Sequence, residues 1–321
     1  MERKFWHSLV SPSSLEFFRH GRRMPGYSLF DWLHGYVYAR WPYLYIGIGT
    51  GEHRLARIIR PLVGFLTRLF PHRTRPQPDP IGQAEAVRHP TFADAYHGKV
   101  VPLQSAVQLV MVNEEIKITD LEKIIPYTKA RDIILENPQH ILALECPCRS
   151  SRPNPCLPLD VCLIVGDPFA SFVEEHHPQR SRRLTSEEAV EILRAEEARG
   201  HVHHAFFKDA MLGRFYAICN CCACCCGAMQ AHRHGTPMLA SSGYLSRVDQ
   251  ELCIACGECV DLCQFGALSL GEFSSAVDEQ ACMGCGVCVS LCAQGALSLE
   301  REPAKGEPLE IFRLMKLAEE L

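Results

Sequence analysis

One cysteine pattern is written twice in this chain, and it constrains the fold more than any other feature. Cys253-x-x-Cys256-x-x-Cys259-x-x-x-Cys263 recurs as Cys282-x-x-Cys285-x-x-Cys288-x-x-x-Cys292, every pair offset by 29 residues. The repeat extends beyond the sulfurs: Val248-Asp249 matches Val277-Asp278, and Gly266-Ala-Leu-Ser-Leu270 matches Gly295-Ala-Leu-Ser-Leu299. Two copies of one unit predict a pseudo-twofold domain. Three close thiolates on a tight loop can supply three corners of a cubane, with Gly257, Gly284 and Gly286 letting the backbone wrap it. The fourth corner must be filled from elsewhere, and in this spacing it comes from the other repeat. Tetrahedral zinc instead favours paired C-x-x-C units, without a third and fourth cysteine at the next steps.

On these residues, the stretch from about 244 to 300 resembles bacterial two-cluster 4Fe-4S ferredoxins. The resemblance implies that Cys253, Cys256, Cys259 and Cys292 hold one cluster, and that Cys282, Cys285, Cys288 and Cys263 hold the other. The chain departs from the family at Gln264 and Ala293, where Pro usually follows the fourth cysteine. Pro shapes that turn and does not bind iron.

All 18 cysteines lie between Cys146 and Cys292 in a chain of 321 residues. No secretory signal opens the chain, so a reducing cytoplasm is expected, where dense cysteine means metal more often than disulfides. Hydrophobic residues at 47% and charged residues at 22% describe a globular protein. A net charge of −4 gives no reason to expect nucleic acid. No run of 18 uncharged apolar residues suggests a membrane span.

Composition divides the chain into a basic aromatic segment (1–75), a linker (76–98), a cysteine-rich middle domain (99–240), the repeat domain (241–301) and a C-terminal helix (302–321). The expected fold class is α+β: a ferredoxin-like module, an α+β middle domain and a helical N-terminal segment. Residues 1–75 hold 12 Lys and Arg against 4 Asp and Glu, and all three Trp. Apolar residues from Leu55 to Phe70 form a helical stripe opposite Arg54, Arg57, Arg60 and Arg68, with Pro61 as a kink. Such a segment can dock on a partner subunit or lie on an anionic membrane surface. The run Pro71 to Pro80 reads as an extended linker.

The middle domain carries ten cysteines. Cys146, Cys148, Cys156 and Cys162 precede the run Cys219-Asn-Cys221-Cys222-Ala-Cys224-Cys225-Cys226-Gly227. Ile141–Leu144 and Phe215–Ile218 read as strands whose ends deliver both groups to one spot. Successive side chains diverge, so adjacent cysteines cannot all reach one metal. The candidate ligands are Cys146, Cys148, Cys162, Cys219, Cys221, Cys222 and Cys225. They would hold a third iron–sulfur cluster and, at the limit of the ligand supply, a fourth; zinc or a metal-free thiol site are the alternatives.

Thr185-Ser-Glu-Glu188 predicts a capping box opening a helix from Ser186 to Arg199, with Gly200 at its end. Thr119-x-x-Glu122 predicts a second one. Arg149 is expected to pair with Glu145 or another carboxylate. His201, His203, His204, His232 and His234 are expected to be solvated or hydrogen-bonded, and His176 and His177 to lie in a polar loop. Gly47-Ile-Gly-Thr-Gly51 lacks the spacing of a phosphate loop.

Residues of about 100 to 300 also look like the upstream region and module of a group of bacterial and archaeal 4Fe-4S dicluster proteins. The shared signals are Glu-Cys-x-Cys-Arg, a helix like Ser186–Arg199 and a Cys-Asn-Cys-Cys run. The double cysteines ahead of Gly227 more weakly resemble motifs of heterodisulfide reductases. The expected function is one-electron relay between the clusters and a redox partner protein, with no substrate turned over. That role suits anaerobic metabolism, in the cytoplasm or at the inner face of the membrane. The alternative is an oxidoreductase whose middle site reduces a disulfide or other small substrate.

Overall fold

Runs of apolar and β-branched residues drive the middle of the chain into one sheet. The computed structural model describes residues 11–59, 61, 77–78, 87–88 and 92–320. Among these, eight strands form one sheet: β1 (Tyr96–Val101), β2 (Ile116–Ile118), β3 (Ile133–Glu145), β4 (Asp160–Asp167), β5 (Ser181–Leu184), β6 (Val202–Lys208), β7 (Arg214–Cys221) and β8 (Leu239–Ala240). The order is β8-β1-β6-β7-β4-β3-β2, with β5 on the free edge of β3. All pairs are antiparallel except β8 on β1.

The register decides where the cysteines go. Glu145 faces Asp160, Cys162 faces Cys219, and Val202 faces Cys221. The end of β3, the start of β4, the end of β7 and the start of β6 therefore meet at one end of the sheet. Ile141, Leu142, Ala143 and Leu144 are buried just before Cys146, as expected of a strand that delivers a ligand.

Helices cover the sheet. Phe169–His176 packs on β3 and β4, while Ser186–Ala198 and Leu103–Val110 pack together against the sheet. The Ser186–Ala198 helix opens on the expected capping box: Glu188 N donates to Thr185 Oγ1 and Thr185 N donates to Glu188 Oε2. It ends at Ala198, and Gly200 follows with φ of 79°, a backbone that a Cβ disfavours. Val190 and Leu193 are buried and Ile192 half-buried. The second expected capping box forms no helix. Ile124 and Ile125 both bond back to Leu121 in a single turn, and Asp120 has φ of 62°. A left-handed residue before the turn and Pro126 after it leave no room for a second turn.

The N-terminal helices Pro12–Arg23, Leu29–Arg40 and Pro42–Thr50 join this body. Phe17 is buried with its ring edge-on to Phe169 and Phe172, and Tyr38 hydrogen-bonds Tyr216 at 2.8 Å. Gly47 and Gly49 lie inside the third helix rather than in a loop. Of the apolar stripe from Leu55 to Phe70, residues 56–59 are helical, and residues 60 and 62–70 lie outside the described residues. Most of the Pro71 to Pro80 run lies outside them too; Gln77–Pro78 pairs with Val87–Arg88. No helix among the described residues is long and apolar enough to cross a membrane.

The C-terminal repeat folds as the sequence symmetry demands. Tyr244–Val248 pairs with Leu297–Arg301, and Leu268–Leu270 with Ser275–Val277. Asp249 Oδ1 accepts from Glu251 N and Leu252 N, and Asp278 Oδ1 accepts from Gln280 N and Ala281 N. These are the same turn, 29 residues apart. Helix Ile311–Glu319 follows, anchored by buried Leu309 and Ile311.

Candidate metal centres

Two cavities in the repeat are lined by cysteines from both of its halves. Cys253, Cys256, Cys259 and Cys292 line one cavity of about 90 Å³, with Cys288 also at its wall. Cys282, Cys285, Cys288 and Cys263 line another of about 20 Å³. Soft thiolates in sets of three plus one from across the pseudo-twofold suit 4Fe-4S clusters. Hydroxyls and amides point at the sulfurs, again in register. Ser275 Oγ lies 3.3 Å from Cys259 Sγ, and Ser246 Oγ lies 3.4 Å from Cys288 Sγ. Ala267 N donates to Cys263 Sγ.

The two sites differ in exposure. Cys256 is exposed, and Leu252 and Ile254 on the same loop are 51% and 63% exposed. Cys282 is buried, and burial pushes the Cys285 thiol well up. The first loop thus faces solvent and the second faces the protein interior.

The second loop packs on Ser241 and Ser242, which donate to Met283 O and Gly284 O; the cysteine-rich end of the sheet is a separate site. A cavity of about 470 Å³ opens there, lined by Cys146, Cys148, Cys162, Cys219, Cys221, Cys222, Cys225 and Cys226. Cys219 and Cys221 alternate within β7 itself, and the chain then turns, with Cys226 N donating to Cys222 O. Every middle-domain cysteine singled out from sequence reaches this cavity. Cys226 also lines it and was missed. Cys156 and Cys224 were missed as well, and they gather with Cys222 and Cys225 at its rim. The Cys146 thiol is pushed up to about 12 by its hydrogen bond with Cys148 and by burial. Such sulfurs stay neutral until a metal displaces their protons.

Arg149 knits the cysteine loops together. It is 1% exposed and donates to Pro158 O, Asn220 O and Glu196 Oε2, the last at 2.6 Å. The carboxylate it pairs with is therefore Glu196; Glu145 lies toward Arg180 instead. Burial disfavours the charge on Glu196, but His201 and Arg149 hold its carboxyl below the usual range. Of the two expectations for the histidines, hydrogen bonding holds for His201 and His203, and His201, His203 and His204 are all buried. His203 Nδ1 lies 2.6 Å from Asn220 Oδ1, and Asn220 in turn donates to Val161 O. Burial lowers His204 to about 3, so it is neutral. His176 and His177 end a helix rather than lying in a loop, with His177 Nε2 at 2.8 Å from Ala39 O. His232 and His234 flank the end of helix Gly227–Arg233, and His234 lines the cavity.

The six-cysteine run touches the repeat just past Cys263, at the end of the first motif. Gln264, next to Cys263, accepts from Ala223 N at 2.8 Å, between Cys222 and Cys224. Phe265 stands edge-on to His204, 6.5 Å between centroids. Residues 246–269 match the 4Fe-4S binding domain family. The chain carries at least one 4Fe-4S cluster. The matched stretch of this 4Fe-4S binding domain contains the first cysteine motif, through Cys263. No curated protein matches the chain.

Aromatic residues wall the far side of the cavity: Tyr38, Tyr45, Phe92, Tyr96 and Phe206. Behind them the Lys208 ammonium lies 4.5 Å from the Tyr96 ring and 4.7 Å from the Tyr38 ring. Burial lowers Lys208 from 10.5 to about 8. The folded state therefore binds fewer protons than the unfolded state between those values. Stability rises with pH across that window, and the full cost of the buried charge is present below it. That cost is on the order of 3 kcal/mol, offset in part by cation–π attraction. Lys208→Met is expected to raise stability at pH 7 by about 1–3 kcal/mol, the gain vanishing above about pH 10. Urea melts at both pH values check this; an equal gain at both would contradict it.

Proposed function

We propose that the chain is an iron–sulfur electron-transfer protein. Two 4Fe-4S clusters in the C-terminal repeat pass single electrons to or from a third cluster held by cavity cysteines of the middle domain. Each cluster, when bound, supplies one-electron cycling; the protein supplies proximity, burial and sulfur hydrogen bonds. The observation that carries this reading is the Gln264–Ala223 hydrogen bond, which joins the residue after Cys263 to the six-cysteine run. Gln264 stands where the ferredoxin pattern usually has Pro, which has no side-chain amide to make this bond.

A redox partner would dock at the outer loop. Leu252, Ile254, Leu270 and Phe273 form an exposed apolar surface there, ringed by exposed Glu251, Glu258, Asp261 and Glu272. That charge favours a partner with a basic patch. The test is stepwise anaerobic reduction of the full chain followed by rapid-freeze EPR. Gln264→Leu is expected to leave iron content and repeat-cluster reduction unchanged while slowing reduction of the middle centre. Unchanged middle-centre kinetics would overturn the proposed route.

Hydrogen bonds to sulfur favour the more negative, reduced cluster and so raise its potential. Ser246→Ala and Ser275→Ala are each expected to lower one cluster's potential. A hydrogen bond of about 1 kcal/mol corresponds to about 40 mV for one electron. Redox titration reads this directly, and the two variants should move different clusters.

The aromatic cavity favours a second reading, an oxidoreductase that reduces a disulfide or other small substrate beside the middle centre. Its volume is within the range of small-molecule sites. A small molecule that perturbs the middle-centre EPR signal would select it.

Residues 1–75 would supply docking to a membrane surface or partner subunit. Leu29, Phe30, Leu33 and Ile58 are 50–75% exposed, with Arg22, Arg23, Arg54 and Arg57 nearby in sequence. Salt-sensitive co-sedimentation with anionic vesicles is the expected result of the membrane role. No binding would assign the face to a partner.

A further inference from the structure

The four sulfurs of Cys156, Cys222, Cys224 and Cys225 all lie within 4.8 Å of one another. Cys156 Sγ is 3.2 Å from Cys224 Sγ, and Cys224 Sγ is 3.7 Å from Cys225 Sγ. A tetrahedral ion with metal–sulfur bonds of about 2.3 Å holds its sulfurs about 3.8 Å apart. A cubane places iron atoms between its thiolates and spreads them further. Among the described residues this is the one set of His, Cys, Asp or Glu side chains that converges so closely. The eight cysteines of the C-terminal repeat do not.

The surrounding contacts hold this loop in shape. Arg152 donates from Nε and Nη2 to Cys225 O, and from Nη2 to Gln230 Oε1 at 2.7 Å. Gln230 Nε2 donates to Cys224 O at 2.9 Å. Both contacts orient the carbonyls of the cysteines rather than their sulfurs, and Arg152 is itself held by an ion pair with Glu52. Such outer contacts fix a ligand set before metal arrives.

We propose that Cys156, Cys222, Cys224 and Cys225 bind one soft divalent ion, zinc or ferrous iron, as a mononuclear tetrathiolate site. This goes beyond the electron-transfer reading and stands whether or not the remaining six cavity cysteines hold a cluster. It explains why ten cysteines crowd one end of a sheet. Four serve the rim, two of which (Cys222 and Cys225) also reach the cavity, and the other six (Cys146, Cys148, Cys162, Cys219, Cys221 and Cys226) line it.

The test compares zinc, iron and acid-labile sulfide in anaerobically purified full-length wild type and a Cys156→Ser/Cys224→Ser variant. The variant should lose one metal ion per chain with sulfide unchanged. Loss of zinc alone identifies a zinc site. Loss of one iron, together with a high-spin ferric EPR signal in the oxidised protein, identifies an iron site. Parallel loss of several irons and sulfides would show a cluster instead and overturn the proposal. So would no loss of metal, the result expected if Cys156 and Cys224 form a disulfide. Unchanged sulfide also reports that the variant has folded. Should it fail to fold, wild type loaded with cobalt gives an independent readout. Sulfur-to-cobalt charge-transfer and tetrahedral ligand-field bands are expected, and their absence contradicts the assignment.

Discussion

Arg149→Met is expected to destabilise the protein by about 3–5 kcal/mol, because it strands a buried partner charge. Arg149 and Glu196 are each 1% exposed. Without the guanidinium, Glu196 keeps only His201 and Arg199, and the carbonyls of Pro158 and Asn220 lose a donor. Those carbonyls belong to the segments that carry Cys156 and Cys219–Cys221, so metal content should fall with stability. The double variant Arg149→Met/Glu196→Leu should recover part of the loss, since removing both charges leaves neither unpaired. Urea unfolding of the three proteins measures this. Equal stability of single and double variants would show that the pair acts through its other hydrogen bonds.

The second large effect separates two positions that the repeat makes equivalent. Ala255 and Gly284 occupy the same place in their motifs, and both have left-handed backbones, with φ of 53° and 64°. A Cβ on Gly284 would sit 2.1 Å from the carbonyl oxygen of Tyr244. Gly284→Ala therefore adds a backbone clash to the ~1–2 kcal/mol cost of the left-handed conformation. It should disrupt the inner site and sharply lower iron and sulfide content. Ala255→Gly removes the same conformational cost at the outer loop and is expected to be neutral or to stabilise by up to about 1 kcal/mol. The asymmetry follows from packing: one loop lies against Tyr244 and the other against solvent.

The repeat was legible because its signals are local. A 29-residue offset fixes which turns and glycines recur, and the Asp249 and Asp278 turns follow it. The convergence of the middle cysteines was legible from apolar runs that end at Cys146 and Cys219. The role of Cys156 was not. It reaches Cys224 only because Arg149 and Arg152 fold the loop after Cys148 back onto the run, a contact spanning 68 residues. Cys224 was hidden among its neighbours, since no regular periodicity says which sulfurs of a cysteine run share a side.

The failures have physical causes too. Thr119 and Glu122 carry the letters of a capping box, but the left-handed Asp120 breaks the helix before it starts. For the histidines of β6 the sequence left solvated and hydrogen-bonded open; the sheet register decides it by putting His203 against Asn220 and His204 against Cys219. Gln264 was visible as a departure from the ferredoxin pattern. Its partner, Ala223, could be known only from the packing of the repeat on the sheet.

The most direct test of the account is the number of electrons the anaerobically purified full chain accepts in a coulometric titration followed by EPR. More than two one-electron steps are expected: two from the repeat clusters and at least one from the middle domain. Two steps only, with the ten middle-domain cysteines reacting as free thiols, would contradict it.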